Sequence, residues 1–313
     1  MYNKDMKKLS VLIITALLFA NLCPVQAGVL SEQKAKIERN KIYKSTYNDI
    51  KSVINQQTIF TNKYDLDGLA TLYTKDFVNS DGFNKEVYFD LIKDTWKTYP
   101  DIVYKTHINN IEFSDNYATV FVNETAIATA LEKIESNYEN VDNYIVGELY
   151  STSKCVYHLE KQGSKWLINS EKIIDETSTL KYGDARYTNI QLTAPKQIGA
   201  DKDYTVTLKV DAPKDSVVIA SINKENIVYP QTKSEDAFRK LPDDNILERV
   251  FKSNKNNVNE YAVASIGITR AENDTPNNIR VYMGGLAFIM TRINVVPENK
   301  FINMEKKDTK DNE

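Results

Sequence analysis

The segment from about Tyr64 to Gly183 constrains the fold most, because its hydrophobic period changes once from helical to strand-like. In Leu66–Tyr73 and Lys85–Tyr99, apolar residues recur three and four positions apart, which predicts two short amphipathic helices. From Ile102 the period is two, and at least four strand-like runs follow. We therefore predict an α+β fold in which helices cover a curved antiparallel sheet and a pocket lies between them.

Local signals place the ends of these elements. A further helix is predicted from Ser31 to about Phe60, upstream of the segment. Asp65 and Asn84 are suitable N-caps for the two short helices, and Pro100 stops the second one. In the first strand, which alternates from Ile102, the pair Asn109-Asn110 is typical of a β-bulge.

One strand carries an unusual carboxylate. Between Tyr117 and Ala130, one face is built from alanine and valine and is interrupted only by Glu124. The acidic stretch Leu131–Glu148 departs from the alternation and is predicted to be a long excursion between strands. Tyr150–Lys161 and Lys165–Ile174 then read as a hairpin.

A second domain is predicted after Gly183. Residues 188–297 contain about seven short strands separated by turns, which is typical of an immunoglobulin-like β-sandwich. Within it, Ser234–Ser253 breaks the pattern and is predicted to form short helices or an irregular crossover. Residues 298–313 are polar and are predicted to be a disordered tail.

The N-terminus predicts export. Lys7 and Lys8 precede an apolar run of about 12 residues, and Ala27 ends a cleavage signal. Residues 1–27 are therefore predicted to be a signal peptide, and residues 28–183 the first domain of the mature protein. The apolar run is too short to span a bilayer, and no other long apolar run follows. Cleavage changes the formal net charge from −3 to −5, which argues against a nucleic-acid partner. Only Cys155 remains, so no internal disulfide is expected, and the destination is periplasmic or secreted.

Two local stretches resemble a known superfamily. Tyr64–Phe77 contains the sequence Tyr-Asp-Leu-Asp-Gly-Leu followed by Leu-Tyr-Thr-Lys-Asp-Phe. Tyr157–Ile168 looks like a terminal hairpin. Together with the order of helices and strands, these resemble the NTF2-like superfamily, which includes SnoaL-like and ketosteroid-isomerase-like proteins, over about residues 35–183. The resemblance implies a cone that hosts isomerases, dehydratases or non-catalytic binding domains, and it makes a homodimer one expected assembly. Fold resemblance transfers no activity.

Glu124 is the leading candidate for chemistry. A carboxylate on an apolar strand face would be desolvated and its pKa raised, which suits proton transfer, and the resemblance implies a carboxylate inside the cone. The alternative is a structural salt bridge to Lys105 or a hydrogen bond to a neighbouring tyrosine. The predicted pocket residues, which are equally compatible with a simple core, are Tyr73, Phe77, Trp96, Tyr104, Glu124 and Tyr157.

Other reactive residues point to no cofactor and no metal. His107 and His158 are the two histidines, too few for a zinc site, and strand alternation makes them surface residues or, alternatively, part of a dehydratase-like pair with an aspartate. Cys155 is expected to be a small buried residue.

Two functions follow from the sequence. The first is a non-enzymatic exported envelope protein that binds a small molecule or a protein segment in the cone and presents the sandwich as an interaction surface. The second is an isomerase, dehydratase or lyase that uses Glu124, with Tyr104 or Tyr157 as hydrogen-bond donor.

Overall fold

The computed structural model describes residues 23–134, 143–214, 216–232, 235–275 and 278–297. Residues 1–22 of the predicted signal peptide and the predicted tail from residue 298 lie outside these ranges. By its internal contacts the chain divides into residues 1–52 and residues 53–313. Within the described ranges the chain is mostly β-sheet, and no helix there is long and apolar enough to cross a membrane.

The helices begin where the sequence places their caps. Helix α1 spans Cys23–Asn62, α2 spans Leu66–Ala70 and α3 spans Lys85–Thr98. The side chain of Asp65 accepts a hydrogen bond from the amide of Gly68 at 2.8 Å, and that of Asn84 accepts one from the amide of Val87 at 3.0 Å. Both predicted caps are therefore confirmed.

The second predicted helix ends earlier than its periodicity suggests. Helix α2 stops at Ala70, and Tyr73, predicted to be helical, opens a strand instead. The carbonyl of Leu72 accepts a hydrogen bond from the amide of Ile168 at 2.8 Å, so pairing with a distant strand overrides the local helical pattern.

Thirteen strands lie in the described ranges. They are β1 Tyr73–Asn79, β2 Val103–Ser114, β3 Tyr117–Ile134, β4 Asn143–Gln162, β5 Lys165–Gly183, β6 Ile190–Thr193, β7 Gln197–Gly199, β8 Asp203–Val210, β9 Ser216–Asn226, β10 Arg239–Lys240, β11 Ile246–Lys252, β12 Glu260–Thr275 and β13 Asn278–Val296. A short 3-10 helix, Asp184–Tyr187, follows β5.

Two predicted segments need correction. The predicted excursion Leu131–Glu148 is strand at both ends, because β3 and β4 stay paired as far as Ile134 and Asn143, and residues 135–142 lie outside the described ranges. Ser234–Ser253 contains strands β10 and β11 and, where described, no helix. In both cases cross-strand pairing, which is non-local, decides the structure.

A single large sheet runs through the predicted domain boundary. Its strand order is β10-β9-β12-β13-β5-β4-β3-β2, with β1 beside β5 and β7 beside β13. Strand β5 reaches Gly183 and pairs with β13 from Gly183 opposite Gly285 to Thr177 opposite Thr291. The backbone ladder is therefore continuous from the first predicted domain into the second, and the independence of residues 28–183 and 188–297 stays a prediction.

The C-terminal region has two packed sheets. A three-stranded sheet, β11-β8-β6, packs on the part of the large sheet formed by β9, β12 and β13. Alternate residues of β8, among them Val206 and Leu208, are fully buried in the same core cluster as Ala264 and Ile266 of β12. The two sheets therefore share one buried core, and the immunoglobulin-like β-sandwich stays a prediction.

Two bulges in β5 decide which of its side chains face the inner side of the sheet. Ile168 pairs with Leu159 and Ser170 with His158, so Asn169 is an extra residue. Ile174 is a second extra residue, between Ile173 and Asp175. Each bulge shifts the alternation by one, so the residues between them face the side opposite to the one that simple alternation predicts.

Candidate functional site

We call residues 53–183 the cone. Inside it lies a cavity of about 90 Å³ whose wall is mainly polar and aromatic, and its lining residues are Gln57, Thr58, Thr61, Tyr73, Tyr88, Ile92, Tyr104, Thr106, Glu124 and Tyr157. Four of the six predicted pocket residues are among them. The cavity is large enough for a few water molecules or a small organic group.

The other two predicted pocket residues lie outside the lining. Phe77 is 1% exposed and packs edge-on against Tyr73, with ring centroids 4.9 Å apart. Trp96 packs edge-on against Tyr64 at 5.1 Å. Both residues therefore serve the core that supports the cavity.

Glu124 faces the cavity from the inner side of β3. Its Oε1 accepts a hydrogen bond from the hydroxyl of Tyr157 at 3.0 Å, and its Oε2 lies 3.8 Å from Sγ of Cys155, a weak donor. Burial raises the pKa of Glu124, and the hydrogen bonds from Tyr157 and Cys155 partly oppose that rise. Of the predicted structural partners, Lys105 is exposed and pairs opposite Thr125, whereas a neighbouring tyrosine is the partner found.

Gln57 connects the helix α1 to this carboxylate. Its Nε2 donates to the hydroxyl of Tyr157 at 3.1 Å and lies 3.4 Å from the hydroxyl of Tyr73. Its Oε1 is buried without a protein partner. A chain of hydrogen bonds thus runs from Gln57 through Tyr157 to Glu124, with an acceptor left free at its start.

Glu171 is the functional candidate that sequence reasoning missed. Simple alternation from Trp166 and Ile168 points residue 171 outward, but the bulge at Asn169 turns it inward, where it is 5% exposed. Burial, and next the charge of Glu124, raise the pKa of Glu171 to about 8. Its Oε2 has no hydrogen-bond partner, and the raised pKa favours the neutral, protonated form of Glu171 at neutral pH.

The tyrosines of the cavity are proton donors. Burial raises the pKa of Tyr104 to about 12, and burial also raises those of Tyr73, Tyr88 and Tyr157. All four phenols therefore stay protonated at neutral pH. Because Tyr157 already donates its proton to Glu124, the other three are the phenols that can donate a hydrogen bond to an oxygen atom of a bound molecule.

Three donor atoms in the cone are close enough to share a cation. One atom each of Glu124, Cys155 and Glu171 lie within 4.8 Å of one another. Burial, followed by the charges of the two glutamates, raises the pKa of the Cys155 thiol, and a neutral thiol is a weak ligand. We therefore describe these residues as a cluster of titratable groups, and we assign no metal to them.

The two histidines and Cys155 are not among the residues that line the cavity. His107 and His158 are exposed and pair opposite Asn123 and Thr119, on the sheet face opposite to Glu124. Nδ1 of His158 lies 3.2 Å from Oγ1 of Thr119. The dehydratase-like arrangement of histidine with aspartate is therefore not assembled at the cavity, and Cys155 is buried and unpaired as predicted.

The site can move protons. It places an acceptor, Glu124, and an acid whose raised pKa favours its protonated form, Glu171, in one cluster with phenolic donors around them. Clusters of titratable groups whose surroundings shift their pKa values are typical of functional sites.

Comparison with solved structures finds NTF2-like and dehydratase-type proteins. A protein described as a putative scytalone dehydratase from Novosphingobium aromaticivorans is 15% identical with a TM-score of 0.34, and the match covers 43% of this chain and 86% of that one. A hexachlorocyclohexane dehydrochlorinase (LinA) type 2 is 14% identical with a TM-score of 0.33, covering 41% and 84%. A putative dehydratase of the NTF2-like family from Streptomyces avermitilis is 9% identical with a TM-score of 0.29, covering 42% and 98%.

No family model and no curated protein matches the chain. At these identities and TM-scores the solved structures carry no activity and no residue role over to this chain.

Proposed function

We propose that the cone is the site of a small-molecule isomerase or lyase that works by proton transfer, with Glu124 as the general base. The observation that carries this proposal is the position of Glu124: its carboxylate lines the cavity and is held by the hydroxyl of Tyr157 at 3.0 Å. A base with a raised pKa, fixed in orientation at a cavity wall, is suited to removing a proton from a bound molecule.

The surrounding groups complete the chemistry. Loss of a proton from carbon next to a carbonyl group leaves negative charge on the carbonyl oxygen, which needs hydrogen-bond donors. Tyr88 and Tyr104 line the same cavity and stay protonated, so they are the donors that we assign to that oxygen. Glu171, protonated beside Tyr88, supplies a second proton: its carboxyl group donates to the phenol oxygen of Tyr88 as the Tyr88 hydroxyl passes its own proton to the bound molecule.

The test is isotope exchange in heavy water. Small carbonyl compounds are incubated with the protein in D₂O, and deuterium uptake at the carbon next to the carbonyl is followed by NMR. We expect Glu124→Gln to lower the exchange rate by about 100-fold or more, the usual contribution of a general base. Glu112→Gln, an exposed position on β2, is the matched control and should leave exchange unchanged. Equal exchange in wild type and Glu124→Gln would remove Glu124 as the base.

A non-enzymatic binding module is the second candidate. It is favoured by the small cavity, about 90 Å³, and by the fact that Gln57, Tyr157 and Glu124 already bond to one another. Under this alternative, small polar molecules bind to the cone, as measured by calorimetry, while no compound of the panel exchanges deuterium.

We also propose that the protein is exported and acts in the periplasm or outside the cell. The basic residues Lys7 and Lys8, the apolar run after them and Ala27 support this. N-terminal sequencing of the protein from the producing cells should begin at Gly28, whereas an intact Met1 or Met6 would contradict export by cleavage. A homodimer, also proposed, is checked by light scattering on the same sample.

A further inference from the structure

A second buried charged cluster lies next to the cone cavity. Arg292, on β13, is 1% exposed, and its Nη2 donates to Oδ1 of Asp81. Its Nη1 lies 3.9 Å from Oε2 of Glu176, and the hydroxyl of Tyr261 donates to the same Oε2 at 2.9 Å. We call Asp81, Arg292 and Glu176 the buried triad.

The members of the triad come from both halves of the sheet. Asp81 follows β1 and Glu176 lies on β5, so both carboxylates belong to the cone. Arg292 and Tyr261 lie on β13 and β12, beyond the predicted domain boundary, and Nδ2 of Asn259 next to β12 donates to Asp81 at 2.7 Å. The C-terminal strands therefore supply the only ion-pair partner that Glu176 has among the described residues.

The triad is close enough to act on the cone site. Glu124 pairs opposite Ser153 and Ser153 opposite Glu176, so the two glutamates lie two strands apart in register, which corresponds to about 10 Å between Cα atoms. Burial is the largest cause of the raised pKa of Glu124, and the charge of Glu176 adds a smaller rise. For Glu171 the causes of the raised pKa are burial, then the charge of Glu124, with a smaller rise from the charge of Asp81. Burial raises the pKa of Glu176, and the positive charge of Arg292 partly opposes that rise. Arg292 therefore favours the charged form of Glu176.

We propose that Arg292 is a positioning residue of the proton-transfer site: by pairing with Asp81 and Glu176 it fixes the two charges that flank Glu124 and Glu171, so the C-terminal strands complete the site. This inference rests on the proposed function of the cone. The titratable or charged groups around Glu124, taken from every element that faces it, are Tyr73 on β1, Tyr88 on α3, Tyr104 on β2, Cys155 and Tyr157 on β4, Glu171 and Glu176 on β5, and the triad members Asp81 and Arg292.

The experiment measures the titration of Glu124 and Glu171 directly. Side-chain carboxyl signals of protein labelled with ¹³C-glutamate are followed against pH, and each signal is assigned by its loss in Glu124→Gln or Glu171→Gln. Glu176→Gln removes one negative charge about 10 Å away and should lower the Glu124 midpoint by about one pH unit. Arg292→Met removes the positive charge and should raise both midpoints by a similar amount.

The double variant Arg292→Met/Glu176→Gln separates charge from structure. It restores the net charge of the triad, so the midpoints should return towards the wild-type values, although the geometry is not restored. A purely structural role would make the double variant at least as disturbed as Arg292→Met. Arg270→Met is the matched control and should leave both midpoints unchanged: Arg270 is an exposed arginine of β12 that pairs with Asp184.

The outcomes are distinct. An unchanged Glu124 midpoint in Glu176→Gln overturns the inference, and this variant is nearly isosteric, so it answers the question even where Arg292→Met fails to fold. The NMR titration needs no substrate. A midpoint shift without any deuterium exchange in the wild-type protein would therefore support the electrostatic role of the triad while the proposed function fails.

Discussion

At the scale of single residues, the cone contains two carboxyl groups, the half-buried Glu124 and the buried Glu171, for which no cationic partner is found among the described residues. Glu124 is stabilised by neutral donors, and Glu171 is stabilised chiefly by staying protonated. Burying a charge without a counter-charge is expensive, so one proton is held where a cation would otherwise be needed.

This predicts an unusual dependence of stability on pH. The pKa of Glu171 is about 8 in the folded chain and near 4.5 when unfolded, so the folded state binds the proton more tightly. The contribution of Glu171 is therefore fully present below about pH 4.5 and is lost as the pH rises towards 8, by on the order of 4 kcal/mol. Urea unfolding measured between pH 5 and pH 9 should show the decline.

Glu171→Gln should flatten this decline, because the amide cannot lose a proton. We expect it to be more stable than the wild-type protein at pH 9 and similar to it at pH 5. Glu112→Gln, which changes an exposed carboxyl, should reproduce the wild-type profile. Parallel profiles for Glu171→Gln and the wild type would show that Glu171 titrates normally in the folded chain.

At the scale of elements, the bulges in β5 decide which side chains reach the cavity. Without Asn169 as an extra residue, Glu171 would face outward. Without Ile174 as the second extra residue, Glu176 would face outward instead. A bulge costs local pairing but re-aims the residues after it, and such features are typical beside binding sites. The N-cap residue Asn84 fixes where α3 begins. It thereby helps to position Tyr88 and Ile92 of that helix, which line the cavity.

Loss of a cap should loosen this helix. The side chain of Asn84 accepts from the amide of Val87 at 3.0 Å, and Asn84→Ala leaves that amide without a protein partner. We expect a loss of about 1 kcal/mol in the free energy of unfolding, measured by urea titration. Asp94→Ala, at an exposed position within the same helix, is the control and should change stability by less than about 0.5 kcal/mol. Equal effects would mean that the cap contributes nothing.

At the scale of the whole molecule, the pairing of β5 with β13 joins the cone to the C-terminal strands. Gly183 adopts φ +54° and ψ −133°, a backbone conformation that is nearly restricted to glycine, and a Cβ atom there would lie 2.3 Å from the carbonyl oxygen of Gly284. The ladder therefore depends on the absence of a side chain at this residue.

Gly183→Ala should destabilise the protein more than a glycine replacement made in open space. Gly163 has φ +63° in the β4–β5 turn, and a Cβ atom there would meet nothing within 4 Å. We expect Gly163→Ala to cost about 1 kcal/mol from backbone strain and Gly183→Ala to cost about 3 kcal/mol or more, because strain and collision add. Thermal or urea unfolding of both variants measures the difference. Similar losses for both would show that the junction tolerates a Cβ atom.

The sequence by itself determined the local features: both helix caps, the bulge at Asn109-Asn110, the inward position of Glu124 and the exposed histidines. These follow from residue types and from periods of three to four or of two, which need no knowledge of distant parts of the chain. The early end of α2 and the strands within Ser234–Ser253 did not follow, because partners far away in the sequence decide them.

Only the tertiary structure decided what surrounds the candidate base. Glu171 faces inward because a bulge shifts the pleat by one residue, and a bulge of this kind at Asn169 leaves no signal in the local composition. Arg292 and Asp81 are 211 residues apart in the chain, and their pairing depends on a sheet that continues past Gly183. Periodicity reports which face a residue occupies within one element, whereas register and strand order, which set the charges around Glu124, arise from contacts between elements.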